Sequence, residues 1–566
     1  MSLVPHGGIL ETNSFSAFSC SITGRAERQQ LPKHAIRWAY VLWLVLICGF
    51  AALHAVHLSA DFPNHTPWFG DWAKYTDEGW YGNAAVRAHL FGNWYLPGDF
   101  NPAPAVPVWP FLEWLLFFFT GVSISAARGL AVAFFFANLL LSYLLLRARE
   151  PRWVALLALT LLATSPFLYC FSRLAILEPM LTAFTLAPLN LAVRLSRLRR
   201  PILASVVIGL FFTLMMLTKT TALFLLPALG WAILQALWNN PKLAVRCAAA
   251  AAVTSAVTFS LWMALVVLTG HFADYKYLFY INTYPKPANL NWPLMSLWWS
   301  FHGGLWVDRI LIPLAGLVTV GALLKWGIAA ANRSRPSSEG EWSKSLCADP
   351  AFGASILAAA GYILFMTWQN HPQPRYFAVV AVFCFLLVAK GAGALLGGSG
   401  RSRQLGWAVV VVAVSAAVVN AAWTLSYASH PEYTYVAAAR ELTNYIDQHP
   451  NGKRLLVSIS GDEITLATHL PSLCDDFGTE ELPSKLARYQ PGWYAAWNDL
   501  DPGTLADLHT HYSLEQVASF HAFDDPERNV LVLFKLHPLP NGMVRDQRDE
   551  NLQIPLPGDK IDVPTD

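Results

Sequence analysis

Three carboxylates stand close together in the stretch DWAKYTDEGWYGNAAVR, from Asp71 to Arg87: Asp71, Asp77 and Glu78. A carboxylate on a loop suits general-base work, because an ionised oxygen beside a hydroxyl takes its proton as that hydroxyl attacks. Further along, Arg128, Arg173, Glu178, Lys219 and Arg375 each lie in or beside an apolar run. Ionisable groups are costly there, which makes them functional candidates. Cations converging from separate helices would hold a phosphate. Each residue also has a plainer reading. Asp77 serves equally as a helix N-cap, and Glu78 as a first-turn residue favoured by the helix dipole. Arg173 and Glu178 read as a local ion pair or as helix-start chemistry beside Pro179. Arg128 reads as a snorkelling arginine, and Arg375 as an anchor beside Tyr376. Lys219, isolated between two apolar runs, requires an anionic partner or water.

The histidines show no HExxH or HxH spacing. Asp71, Glu178, His271 and His302 are the candidates for holding an acceptor or a divalent metal. The seven cysteines form no CxxC pair, so neither a disulfide framework nor a thiolate metal site is expected.

These groups must be positioned by membrane helices. Of 566 residues, 55% are hydrophobic and only 13% charged, against about a quarter charged in an average soluble domain. Mean hydropathy is +0.38. The 23 tryptophans fit many helix ends at water–lipid boundaries. The net charge of +2 says nothing about nucleic acid, but no basic patch with interleaved aromatics appears, so nucleic acid is not an expected partner.

Arg25, Arg28, Lys33 and Arg37 precede the first apolar run, so the tail 1–35 is expected inside and the loop 58–125 outside. The run from Val106 to Thr120 is too short to span and carries Glu113, so it reads as interfacial. Spans are expected near 36–57, 126–147 and 152–171, then, after a short external turn with Arg173 and Glu178, a fourth that ends at Arg194, and near 201–217, 220–238, 244–269, 309–330, 351–369, 376–396 and 405–428. That is about eleven, N-terminus in and C-terminus out, with Arg147/Arg149/Arg152, Arg194 to Arg200, Lys242/Arg246, Arg333/Arg335/Lys344 and Arg401/Arg403 inside. GWYGNAAVRAHLF, with Trp80, Ala84, Ala88 and Phe91 on one face, predicts an interfacial helix turned to lipid.

After the transmembrane domain 36–428 the pattern changes. Residues 429–537 predict an external α/β domain: a helix in VAAARELTNYIDQ, a strand in KRLLVSIS, a helix from Asp462, then strands in GWYAAW, SLEQVASFHAF and NVLVLFKL. The tail 538–566, rich in Pro, Asp and Asn, is expected to be disordered.

The order of TDEGWYGNAA, the Arg-led SAARGLAVAFFFANLLLSYLLLR, SPFLYCFSRLAILEPMLTAF, LTKTTALFLLP and QPRYFAVV resembles the membrane glycosyltransferases of the GT-C superfamily. The nearest branch holds protein O-mannosyltransferases and the aminoarabinose transferase acting on lipid A (family 39-like), and the likeness covers about residues 36–396. The resemblance implies inverting transfer of a sugar from a polyprenyl phosphate to a hydroxyl of a lipid, glycan or protein, on the outer face of a bacterial cytoplasmic membrane. It implies Asp77 as general base, Glu78 as a residue orienting or binding the acceptor or a metal, and Arg128, Arg173, Lys219 and Arg375 as the phosphate clamp. Two departures stand out. The family's Pro-Pro-Leu signature is replaced by the loosely similar Pro102, Pro104 and Pro107, and its second acidic position is Glu178 rather than Asp. A transporter or flippase of a lipid-linked substrate is the alternative, although no internal repeat supports it. A third reading is a non-catalytic scaffold whose external domain binds cell-wall material.

Overall fold

The computed structural model describes residues 33–68, 70–281, 305–331, 341–369, 373–523 and 528–540, with residues 294, 295, 297, 298, 302 and 525. The expected tail beyond residue 540, most of the N-terminal tail, and Arg333, Arg335 and His371 lie outside the described residues. The chain forms two units, 1–45 and 46–566. Helix α1 (Lys33–Leu53) starts in the first unit, and every later element belongs to the second.

This is a polytopic helical membrane protein with a small C-terminal sheet. In chain order come α2 (Asp77–Trp80), α3 (Asn83–Phe91), α4 (Val108–Thr120), α5 (Ile124–Arg147), α6 (Arg152–Ala163), α7 (Pro166–Ser172), α8 (Glu178–Ala192) and α9 (Pro201–Thr218). Then come α10 (Leu226–Ala236), α11 (Pro241–Leu268), α12 (Leu311–Ala331), α13 (Pro350–Gln369), α14 (Phe377–Gly397) and α15 (Arg401–Ser429). Every expected span falls on one of these helices. Among the described residues, however, only seven helices are individually long and apolar enough to cross a membrane, and the α6–α7 pair, bent by 65°, makes an eighth. Two more are short apolar helices, Arg37–Leu53 and Thr220–Ala236. The remaining one, α8, has 15 residues, about 22 Å of helix against a hydrocarbon core of about 30 Å. Its buried face includes Met180, Leu181, Leu186 and Leu189, so it packs against protein rather than lipid.

The amphipathic stretch after Asp77 departs from expectation. It is two helices broken at Tyr81–Gly82, and Ala84, Ala85, Val86 and Arg87 are buried in protein. Along the stripe Ala84 is buried, Ala88 half-buried and Phe91 exposed, while Ala85 and Val86 pack with Trp109 and Phe117 of α4 and with Leu466. Helix α2 itself packs on the C-terminal unit, and Gly79 is the reason: a Cβ there would lie 2.2 Å from the backbone N of Glu463. Only a residue without a side chain allows such an approach.

That unit contains α16 (Thr434–Gln448), β1 (Lys453–Val457), α17 (Gly461–Thr468), β2 (Ser472–Leu473), α18 (Leu482–Tyr489), β3 (Pro491–Trp497), α19 (Pro502–His509), β4 (Tyr512–His521) and β5 (Val530–Pro538). The sheet order is β2-β1-β3-β5-β4. The β1–β2 and β1–β3 pairs are parallel, and β5 lies antiparallel to both β3 and β4. Strand β3 is central and buried along its whole length, so PGWYAAW reads as a continuous apolar run rather than an alternating one.

The loop before α2 is threaded into this unit. Tyr75 joins its core with Tyr435, Trp493, Trp497 and Phe523. Lys74 Nζ reaches Asp525 at 2.7 Å, and the Arg528 guanidinium lies 3.8 Å over the Trp72 ring. On the far side of α2, Arg87 donates to Asp462 at 3.0 Å and to the Ser472 carbonyl at 2.7 Å, while Asn83 donates to Asp462 at 3.1 Å. The four residues of α2 are too few to form an independent helix. They are held by contacts on both flanks.

Candidate active site

Three of the expected residues line one cavity of about 340 Å³: Asp77, Lys219 and Arg375. Each is placed by a local break in regular structure. Asp77 opens α2 after Thr76, whose hydroxyl donates to Asp77 Oδ1 at 3.3 Å. Lys219 stands where α9 ends, in extended conformation (φ −157°, ψ 132°), before a 3₁₀ turn over Thr220–Leu225. The run of β-branched threonines around it favours leaving the helix. Arg375 lies in the 3₁₀ turn Pro374–Tyr376, whose proline sets the entry to α14.

The charges are buried and interlocked. Arg375 Nη1 donates to Asp71 Oδ1 at 2.6 Å, and its backbone N–H donates to Asp71 Oδ2 at 2.8 Å. Asp71 also caps the turn Trp72–Lys74 through Ala73 N–H at 2.8 Å. Asp71 is therefore fully engaged in fixing Arg375. The same guanidinium places Nε 3.0 Å from Asp77 Oδ2, but out of line, so the contact is ionic and not a hydrogen bond. Asp77 Oδ2 thus has no hydrogen-bond donor among the described residues. Lys219 Nζ pairs with Glu178, which lies behind it at the start of α8. It also sits 4.6 Å from the centroid of the Tyr376 ring. Burial pushes the Asp77 carboxyl above its ordinary value, while Arg375 and Lys219 pull it back toward the ionised form.

The remaining candidates are elsewhere. Glu78 and Arg128 are locked in a two-pronged pair, Nε to Oε1 at 2.7 Å and Nη2 to Oε2 at 2.5 Å. Glu78 also accepts from Ala175 N–H at 2.7 Å, and Arg128 Nη1 donates to the Leu58 and Ala60 carbonyls. Neither residue lines the cavity. Arg173 lines a separate cavity of about 350 Å³ with Asp61 and Glu432, and donates to Tyr169 Oη at 2.6 Å and the Val56 carbonyl at 2.8 Å. His271 is 3.0 Å from Asp274 and packs on the Trp94 and Tyr95 rings. His302 lies 3.2 Å from the Trp298 carbonyl. No three His, Cys, Asp or Glu residues converge as a metal-binding group among the described residues. The candidates Asp71, Glu178 and His271 are each engaged with a different partner.

The cavity adds residues that reasoning from charge does not reach. Tyr81 and Tyr376 line it, as do Trp80, Phe100 and Phe477. Its lining also includes Leu223 and Trp368, large apolar side chains that are 53% and 58% exposed. A cavity lined by both buried cations and exposed apolar side chains suits an amphiphile with an anionic head.

No family model and no curated protein matches the sequence. Solved structures do match in fold. ArnT from Cupriavidus metallidurans in the apo state superposes with TM-score 0.51 at 14% identity, over 88% of this chain and 98% of that one. The same protein bound to undecaprenyl phosphate gives TM-score 0.55 at 15% identity, over 87% and 98%. The chain has the GT-C fold. At this identity the GT-C likeness concerns the path of the backbone. The chemistry must be argued from the residues that line the cavity.

Proposed function

We propose that the protein is an inverting glycosyltransferase that moves a sugar from a polyprenyl phosphate to an acceptor hydroxyl of a lipid, glycan or protein. The observation that carries this reading is the convergence of Asp77, Lys219 and Arg375 on one cavity with an exposed apolar side. The undecaprenyl phosphate bound by ArnT supports a lipid phosphate as the leaving group here.

In the transfer, the acceptor oxygen forms a bond to the anomeric carbon as the bond from that carbon to the phosphate oxygen breaks. The acceptor proton passes to Asp77 Oδ2, and the electron pair of the broken bond stays on the phosphate. Lys219 and Arg375 stabilise that growing charge, being already in place and shielded from water. Their charges also favour the ionised form that a base requires. Asp71 and Glu178 position the two cations. Glu78 and Arg128 act at a distance, tying the start of α2 to α5. The charge asymmetry of the loops favours an active site on the outer face of the membrane.

The test uses protein reconstituted in lipid vesicles with undecaprenyl-phosphate hexoses and pentoses and with extracts of cell-envelope lipid, glycan and protein. Mass spectrometry is expected to find a transferred sugar with wild type and at least about 10²-fold less with Asp77→Asn. Movement of intact donor across the bilayer, with its glycosidic bond unbroken, would overturn the reading in favour of a transporter.

A further inference from the structure

One wall of the cavity has no part in the ion-pair network. Trp80, Phe100 and Phe477 meet there, with ring centroids 4.6 Å apart for Trp80–Phe477, 5.2 Å for Trp80–Phe100 and 5.7 Å for Phe100–Phe477. They come from three parts of the chain. Trp80 is one helical turn past Asp77, Phe100 lies in the irregular connection from α3 to α4, and Phe477 belongs to the connection from β2 to α18.

That connection is held firmly. Gly478 has φ +145°, and a Cβ there would lie 2.4 Å from the Gly98 carbonyl oxygen. Glu480 N–H donates to the same carbonyl at 3.0 Å, and Lys485 Nζ donates to the Phe477 carbonyl at 2.9 Å. The Trp80 indole N–H donates to the Ile459 carbonyl at 3.2 Å, so this ring too is fixed by the C-terminal unit. Phe477 and Trp80 are only half-buried, leaving ring surface open to the cavity.

The chemistry of the wall narrows what it receives. It presents no cation, so it does not suit the phosphate. The lipid chain has its own apolar side at Leu223 and Trp368. The donor's remaining part is a sugar ring, which carries a face of weakly positive C–H bonds. Aromatic faces are negative and attract such bonds. We propose that Phe477, with Trp80 and Phe100, forms the subsite for the glycosyl ring of the donor, so that the C-terminal unit selects the sugar. This rests on the glycosyl-transfer reading.

The test compares binding of undecaprenyl phosphate, which lacks a sugar, with binding of undecaprenyl-phosphate glucose, mannose and arabinose to the full chain in detergent. Phe477→Leu keeps the apolar filling and removes the ring, while Phe477→Tyr keeps the ring. Wild type is expected to bind at least one sugar-bearing donor more tightly than the bare lipid phosphate. Phe477→Leu should lose roughly three- to ten-fold in affinity for that donor and none for undecaprenyl phosphate, with Phe477→Tyr near wild type. In turnover the loss should fall on the KM for donor and leave the KM for acceptor unchanged. Equal losses for the sugar-bearing and bare lipids, wild-type binding by Phe477→Leu, a change confined to the acceptor, or no sugar-bearing donor preferred by wild type would each overturn the proposal. Turnover by wild type separates it from the reading it rests on: a wild type that binds a sugar-bearing donor through Phe477 but transfers no sugar refutes glycosyl transfer while leaving the binding result intact.

Discussion

Asp77 and Glu78 are adjacent carboxylates, each facing an arginine, and their surroundings give them different chemistry. Glu78 is saturated: both oxygens accept from Arg128, and one also accepts from Ala175 N–H. Asp77 is held by a misaligned contact with Arg375, and its Oδ2 lacks a hydrogen-bond donor among the described residues. A saturated carboxylate fixes structure. One that is charged, beside a cavity and short of donors has an oxygen left for a proton. Neighbouring positions on a helix lie about 100° apart, so Glu78 meets Arg128 as a latch while Asp77 lines the cavity.

Asp77→Asn should lower transfer by about 10²–10⁴-fold while donor binding and melting temperature stay near wild type. A large fall in melting temperature instead would make Asp77 a second latch. Lys219→Gln combined with Glu178→Gln, which removes the pair without leaving a buried charge, should slow turnover by about 10²-fold at saturating donor. Unchanged turnover would remove Lys219 from the phosphate clamp. Glu78→Ala leaves Arg128 buried beside a void and should cost about 3–5 kcal/mol of stability, read by thermal unfolding in detergent. The surviving folded fraction should turn over near the wild-type rate, whereas folded but inactive protein would move Glu78 into the chemistry.

A smaller effect concerns the C-terminal unit. Burial pushes the Asp475 carboxyl up to about 6, against the 2.8 Å hydrogen bond that it accepts from Tyr494. The native state then holds a proton that the unfolded chain has released, so stability falls as pH rises from the ordinary aspartate range through about 6. Asp475→Asn should gain melting temperature over wild type across that interval. A constant difference would show that the group is ionised throughout.

Much of the fold is legible because membrane helices and strands write their period directly into apolar residues. The strands GWYAAW and NVLVLFKL and every span fall on regular elements. An ionisable group beside an apolar run is rare, which flags Asp77, Lys219 and Arg375, but the same signal flags Arg128, Glu78 and Arg173 and does not say which of them share a cavity. Along the expected lipid-facing stripe Phe91 is exposed and Ala84 buried, because a helical apolar stripe says that something covers it, not what. Phe477 is invisible in the sequence. In a chain with 33 phenylalanines and 23 tryptophans, one more aromatic in a loop carries no signal until folding brings it beside Trp80.

The central claim, that Asp77 removes the acceptor proton, is tested most directly by the pH dependence of a single turnover in protein preloaded with donor. Wild type should show a rate that rises with pH on an acidic limb whose midpoint lies above the ordinary aspartate value, as the burial of Asp77 requires. Asp77→Asn should lack that limb. A flat wild-type profile, or the same limb in Asp77→Asn, would contradict the account.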